Sequence, residues 1–292
     1  MNPKVIACLW LLGLLPAARA ADDSQVIDAC RYPSAAAAQA AWEPMSGSPP
    51  ADVATIDGAP ALRLRCPFAG TTIERASWDR KVRLDLSDAR GVQFRLRCAD
   101  PSPVSYFAFY LQSGDGWYTA TFYPETAGWN TITLDKASLR IEGKPAGWGA
   151  IRTIRLSAWR GGNQDTEFAI SDLKKVGQLG ADTLVALLRC DSAAQQRPEE
   201  VRSVEQFTAH VAAALDRAGV GHATLSDENL SAETLKRAKL VILPQNPTMP
   251  ERTLDELIAY LKQGGKLITF YGMPARLRPV VKIDTAGYAR PK

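Results

Sequence analysis

The sequence has 292 residues, 46% hydrophobic and 23% charged, a length and balance that allow two separate cores. With 35 Lys and Arg against 31 Asp and Glu and no long basic run, it lacks the electrostatic footprint of a nucleic-acid binder. Its only histidines are His210 and His222, which excludes a multi-histidine metal site and leaves any Ser-His-Asp or Cys-His scheme dependent on one of these two.

The chain opens with Lys4, an apolar run over 5–15 and the small-residue pattern Ala18-Arg19-Ala20. This reads as a secretory signal peptide cleaved near Ala20, its apolar run being too short to span a membrane, and it predicts a secreted or periplasmic protein. No later stretch is long and apolar enough to span. Cleavage removes Lys4 and Arg19, leaving 33 basic residues against 31 acidic ones and a net charge of +2. It also leaves Cys30, Cys66, Cys98 and Cys190 in an oxidising compartment. In Leu62-Arg63-Leu64-Arg65-Cys66 and Phe94-Arg95-Leu96-Arg97-Cys98 the cysteine falls on the apolar face of an alternating strand. A disulfide drawing on Cys30, Cys66 and Cys98 is therefore expected, with the pairing open.

From 22 to 175 the pattern is short alternating strands, predicted at 61–66, 81–86, 91–98, 105–112, 118–123, 131–134, 151–158 and 167–170. Turn signals separate them, including Pro101-Ser102-Pro103, Gly114-Asp115-Gly116 and Gly161-Gly162-Asn163. The Ala-rich stretch 34–41 is the one helical interruption. Many short strands at this spacing predict an all-β sandwich over 21–175.

Beyond a glycine-containing linker at 176–180 the period changes, and strands alternate with helices over 181–292. Strands are predicted at 183–188, 222–225, 240–243 and 266–271. Helices are expected after Ser203, over 231–238, and from Thr248 to Gly264-Gly265. This alternation implies a mostly parallel sheet with helices on its faces.

Trp78-Asp79, Asp115-Gly116-Trp117-Tyr118, Gly128-Trp129, Gly147-Trp148, Trp159-Arg160 and the closing Phe168-Ala169-Ile170-Ser171-Asp172 together resemble a galactose-binding-like jelly roll. That resemblance implies a carbohydrate-binding module and a structural calcium near Asp172, with no other cofactor. The second half, through Leu240-Val241-Ile242-Leu243-Pro244 and Lys266-Leu267-Ile268-Thr269-Phe270-Tyr271, resembles a flavodoxin-like, class I glutamine-amidotransferase-like domain. Its nucleophile turn reads Tyr271-Gly272-Met273-Pro274 and lacks the cysteine of active members. The fold it implies is non-catalytic and expected to be incomplete within this sequence. The order of the two halves is similar to the front end of secreted glycoside-hydrolase-like proteins.

A sugar binder needs flat aromatic platforms for C–H faces and fixed polar groups for hydroxyls. Two loops offer both: Asp115, Trp117, Tyr118 and Tyr123 around one turn, and Trp159, Arg160, Asn163, Gln164 and Asp165 around another. Trp42, Trp78, Trp129 and Trp148 are expected to be packing residues. No pair of carboxylates is spaced for glycoside hydrolysis, which needs two roughly 5–10 Å apart. The first expectation is a secreted accessory protein that binds a glycan, with the α/β half supporting homo-oligomer assembly. The alternatives are a glycosidase-type hydrolase acting at the α/β domain or the interdomain cleft, and a ligand-free assembly module.

Overall fold

The computed structural model describes residues 25–271 and 273–283. The expected signal peptide and cleavage site lie outside the described residues, as does Gly272.

The first half contains β1 (Val26–Asp28), α1 (Ala35–Ala41), β2 (Glu43–Met45), β3 (Asp52–Ile56), β4 (Ala59–Cys66), β5 (Arg75–Leu84) and β6 (Gly91–Cys98). It continues with β7 (Val104–Ser113), β8 (Asp115–Phe122), β9 (Trp129–Asp135), β10 (Arg140–Lys144), β11 (Ile151–Arg160) and β12 (Thr166–Val176). These strands form two antiparallel sheets. One has the order β3-β4-β12-β6-β9 with β1 added against β12; the other runs β10-β8-β7-β11-β5-β2.

Strict alternation makes the sandwich. Phe107, Phe109 and Leu111 of β7, Ile154 and Leu156 of β11, and Trp78 of β5 point inward, meeting Leu62, Leu64, Phe94, Leu96, Phe168 and Ile170 of the facing sheet. Aromatic edges lock the layers: Phe107 and Trp78 both meet Phe168 edge-on, at centroid distances of 5.1 and 5.8 Å. Trp42, Trp78 and Trp148 are buried, as expected of packing residues, while Trp129 is half-buried beneath the Arg95 guanidinium, 4.7 Å from its ring.

The expected disulfide does not form, and all four described cysteines are free and buried. Cys66 lies opposite Thr166 and Cys98 opposite Phe168, so β4 and β6 flank β12 on opposite sides. Two strand spacings separate their backbones by about 10 Å, beyond the Cα separation of about 7 Å that a disulfide spans. Cys30 sits toward the other end of β12, after Asp28, which pairs with Leu173. Burial pushes all four thiols up.

The second half holds β13 (Val185–Arg189), α2 (Ala193–Gln196), α3 (Val201–Arg217), β14 (Ala223–Ser226), α4 (Ala232–Leu235), β15 (Leu240–Leu243), α5 (Glu251–Lys262), β16 (Lys266–Thr269) and α6 (Arg278–Val281). Its sheet is parallel throughout, in the order β14-β13-β15-β16. Ser231 caps α4 by accepting from the Thr234 amide. The helix starts expected at Ser203 and Thr248 are both displaced. α3 starts at Val201 with Ser203 inside it, and Pro250 precedes α5 while the Thr248 hydroxyl turns to Cys190 and Ser192.

A polar seam joins the halves. Arg90 bridges Asp135 and Asp216, both at 2.6 Å, and Arg237 reaches Asp88 at 2.7 Å. Lys136, fully buried at the seam, donates to the carbonyls of Leu86 and Ser87. Arg189 lies alongside, donating to the Lys136 carbonyl and to Asp191.

Candidate functional site

The outward face of the β10-β8-β7-β11-β5 sheet carries a groove with a volume of about 840 Å³, which continues past the β8 edge onto residues 131–134 of β9. Side chains alternate along a strand, so every second residue of each strand reaches this face. Register then stacks them into rows. Trp159 of β11 lies opposite Tyr106 on one side and Arg75 on the other. Ser157 lies between Ala108 and Ser77, and Arg155 between Tyr110 and Asp79. On β8, Thr121 extends the Ala108 row, Thr119 the Tyr110 row, and Trp117 the Gln112 row.

The result is two aromatic walls separated by one register row, in which Ala108 and Thr121 line the groove and Ser157 and Ser77 are fully buried. At one end Tyr106 and Trp159 are stacked with centroids 5.5 Å apart. At the other, Tyr110 meets Trp117 edge-on at 6.1 Å. Ala108, Ser157 and Ser77 lie between them, and the two serine hydroxyls bond each other at 2.7 Å. The outer rings carry guanidinium groups, with Arg75 5.1 Å from the Trp159 centroid and Arg155 4.8 Å from that of Trp117.

Arg155 is fixed by a fork to Asp79, at 2.6 and 2.8 Å, which holds its charge firmly on. Thr119, Thr121, Thr131, Thr133, Ser138, Arg140 and Glu142 supply the groove's remaining polar groups. The Thr119 hydroxyl reaches Glu142 at 3.3 Å, and Gln112 accepts from Thr153 at 2.8 Å.

Glycines place both walls. The hairpin between β7 and β8 turns through Gly114-Asp115, with Gly114 at a φ of +55° at the first loop position, where one class of two-residue hairpin takes glycine. At Gly161, just after β11, a Cβ would stand 2.7 Å from the Ser105 amide, so only glycine lets the Trp159 strand close against β7.

Of the residues singled out in the sequence, Trp117 and Trp159 line the groove. Tyr118 does not. It points inward, is 4% exposed, and stacks on Trp148 with centroids 3.6 Å apart, because the alternation that turns Trp117 outward turns its neighbour in. Tyr123 is 60% exposed just beyond β8, its hydroxyl donating to the Ser105 carbonyl, and Asp115 is exposed in the hairpin. Neither lines the groove.

The second loop is a clamp. Arg160 donates to the carbonyls of Thr71 and Gly162 and to Asn163; Asn163 also accepts from the Gly70 amide, and Asp165 from that of Ala69. Gln164 is exposed beside them. Arg160, Asn163 and Asp165 thereby fasten the loop to residues 69–71. Asp172 fits no calcium site. It takes φ of +54° at an irregularity in β12, and its carboxylate faces Arg31 at 3.7 Å. Among the described residues no group of three or more His, Cys, Asp or Glu side chains is arranged to hold a metal ion.

Tyr106, Tyr110, Arg75, Arg155, Arg140 and Glu142 went unread in the sequence. Tyr106, Ala108 and Tyr110 alternate within a predicted strand, as do Arg155, Ser157 and Trp159. The missing information was which strands lie side by side.

No family model and no curated protein matches the chain. About half of it is similar to carbohydrate-binding-module β-sandwiches among solved structures. The family 11 module of the cellulosomal cellulase Lic26A-Cel5E of Clostridium thermocellum is 14% identical, covering 52% of this chain and 93% of that one, at a TM-score of 0.40. A family 30 carbohydrate-binding module is 14% identical over 43% of this chain and 73% of its own, at 0.35. An exo-β-agarase is 10% identical over 52% of this chain and 25% of its own, at 0.36.

A second cleft, of about 640 Å³, opens between the halves. It lies over Tyr118, Trp148 and the 143–147 loop on the sandwich side, and over Asp191, Glu228 and Asn229 beyond the strand ends of the parallel sheet. Burial, with the charges of Asp191 and Asp227, pushes the Glu228 carboxyl up. Asp191 is held by Arg189 at 2.5 Å. Asp227 is buried and accepts from the Ser192 amide and hydroxyl, at 3.0 and 2.5 Å. Cys190 sits 3.1 Å from the Thr248 carbonyl with its thiol pushed up by burial, a setting that disfavours the nucleophilic thiolate. His222 is fully buried with Nε2 3.3 Å from Asp135, within the seam, and His210 lies on α3 with its ring edge-on to Phe207.

Proposed function

We propose that this protein is a secreted carbohydrate-binding accessory protein that holds a glycan in the groove on the outer face of its β10-β8-β7-β11-β5 sheet. One observation carries the reading: Tyr106 with Trp159 and Tyr110 with Trp117 form aromatic walls at two ends of the groove, with Ala108 between them. Pyranose rings lie with C–H faces against such walls, while threonine, serine and carboxylate groups meet their hydroxyls. The walls sit on paired strands of one sheet, so little order is lost when a sugar binds. In this reading 21–175 is the binding domain and 176–180 the linker. The remaining 181–292 form an amidotransferase-like, non-catalytic unit supporting homo-oligomer assembly beside a glycoside hydrolase.

Affinity electrophoresis of the full chain through gels containing single polysaccharides tests the binding. Retardation in at least one gel is expected, and it should disappear in Trp159→Ala. Unretarded migration in every gel would overturn the reading.

One observation favours a second reading, hydrolysis in the interdomain cleft: Asp191 and Glu228 line it together, and Glu228 has its carboxyl pushed up as a general acid requires. Release of nitrophenol from aryl glycosides, lost in Glu228→Gln, would support it. An inert wild-type protein would remove it.

A further inference from the structure

We propose that the glycan held in the groove is anionic, carrying carboxylate or sulfate groups, and that Arg75 and Arg140 pair with them. The assignment rests on the glycan-binding reading of the same groove and names its substrate class. The groove is lined by three guanidinium groups and the carboxylate of Glu142, with Asp79 next to it. Asp79 is consumed by its fork to Arg155, which leaves that pair neutral.

Arg75 and Arg140 have no such partner: among the described residues no carboxylate lies within ion-pair distance of either. Arg75 is half-buried with its guanidinium against the face of Trp159, a position that orients the planar fork while leaving its N–H groups without an anion.

The two free charges stand at opposite margins. Arg75 is on β5 and Arg140 on β10, four strand spacings apart, or about 19 Å across the sheet. A chain lying across the strands, over both aromatic walls, meets one arginine near each end. A neutral glycan gives neither guanidinium a counter-charge. A glycan with periodic acidic groups satisfies both with charge-assisted hydrogen bonds, stronger than those a hydroxyl accepts. Glu142, two residues along β10 from Arg140 and next to Trp117 in the register, is left to accept from the ligand's hydroxyls.

The experiment measures binding of the full chain to polygalacturonate, alginate and the sulfate-only polymer carrageenan, and to neutral barley β-glucan and galactomannan, at low and high sodium chloride. Expected is tighter binding to at least one acidic polymer than to either neutral one, weakened at least several-fold by the higher salt. Arg75→Gln should lower that affinity tenfold or more and flatten its salt dependence, with Arg75→Lys intermediate, each with an unchanged near-ultraviolet circular dichroism spectrum. Preference for the uronates over the sulfated polymer assigns carboxylate as the anion, and the reverse assigns sulfate. Binding only to neutral polymers, or acidic binding indifferent to Arg75→Gln and Arg140→Gln, overturns the inference while leaving the glycan reading intact. Binding to none of the polymers overturns the glycan reading itself.

Discussion

Trp159 and Tyr106 face each other from adjacent strands, ring centroids 5.5 Å apart and planes 27° from parallel. The pair is directly cross-strand in the β11–β7 register, so its geometry is set by the sheet and not by a loop. Half-buried rings on the outside of a sandwich contribute little to its core and leave their faces for a ligand.

Trp159→Ala is therefore expected to cut glycan affinity by at least tenfold, in the range seen for aromatic anchors of binding surfaces, while the fold survives. Calorimetric titration alongside far-ultraviolet circular dichroism checks both halves of this expectation. An unfolded variant would show that Trp159 belongs to the core.

Tyr118 is expected to behave in the opposite way. Its ring is packed on Trp148 at the seam between the halves, so Tyr118→Ala opens a cavity and should cost about 3 kcal/mol of stability. Tyr118→Phe keeps the stack and should cost little. Urea unfolding of the two variants separates packing from any role for the hydroxyl.

Lys136 makes stability depend on pH. Burial, aided by the nearby Arg189 charge, pulls its ammonium down from the ordinary 10.5 to about 7. The folded state thus binds fewer protons than the unfolded chain between about pH 7 and 10.5, so stability rises with pH across that window and the cost is full below it. Above about pH 9 the buried thiols act in the opposite direction, since burial holds them protonated while the unfolded chain releases its protons. The thermal midpoint is expected to climb from pH 7 to 8.5, and Lys136→Met should remove most of that slope. A wild-type midpoint that falls over the same interval would contradict the assignment.

The cysteines give a redox-independent prediction. With Cys66 and Cys98 on opposite flanks of β12, a reductant has no disulfide to break. The unfolding midpoint should be the same with and without tris(carboxyethyl)phosphine, and denatured protein should take up one alkylating group at each of Cys30, Cys66, Cys98 and Cys190. A lower midpoint on reduction would mean that two of these thiols had been joined.

Much of the fold was legible because period-two alternation is a local signal. The strands Gly91–Cys98 and Leu240–Leu243 match their predicted bounds. The short edge strands β1, β2, β3 and β10 were not legible: Arg140-Ile141-Glu142-Gly143-Lys144 has no buried face, and only its pairing with β8 makes it a strand. The groove was half visible. Trp117 and Trp159 stand out by residue type, whereas Tyr106 and Tyr110 become wall residues only when β7 lies between β8 and β11, a long-range fact. The polar loop at Arg160 to Asp165 was legible by residue type, but the bonds of Arg160, Asn163 and Asp165 to residues 69–71, distant in sequence, were not.

The most direct test of the central claim is calorimetric titration of the double variant Trp117→Ala/Trp159→Ala with whichever polysaccharide retards the wild-type chain most. With both walls truncated and the inward-facing core intact, binding heat should vanish while the unfolding transition stays cooperative. Undiminished affinity in a folded double variant would place the ligand elsewhere and contradict the account.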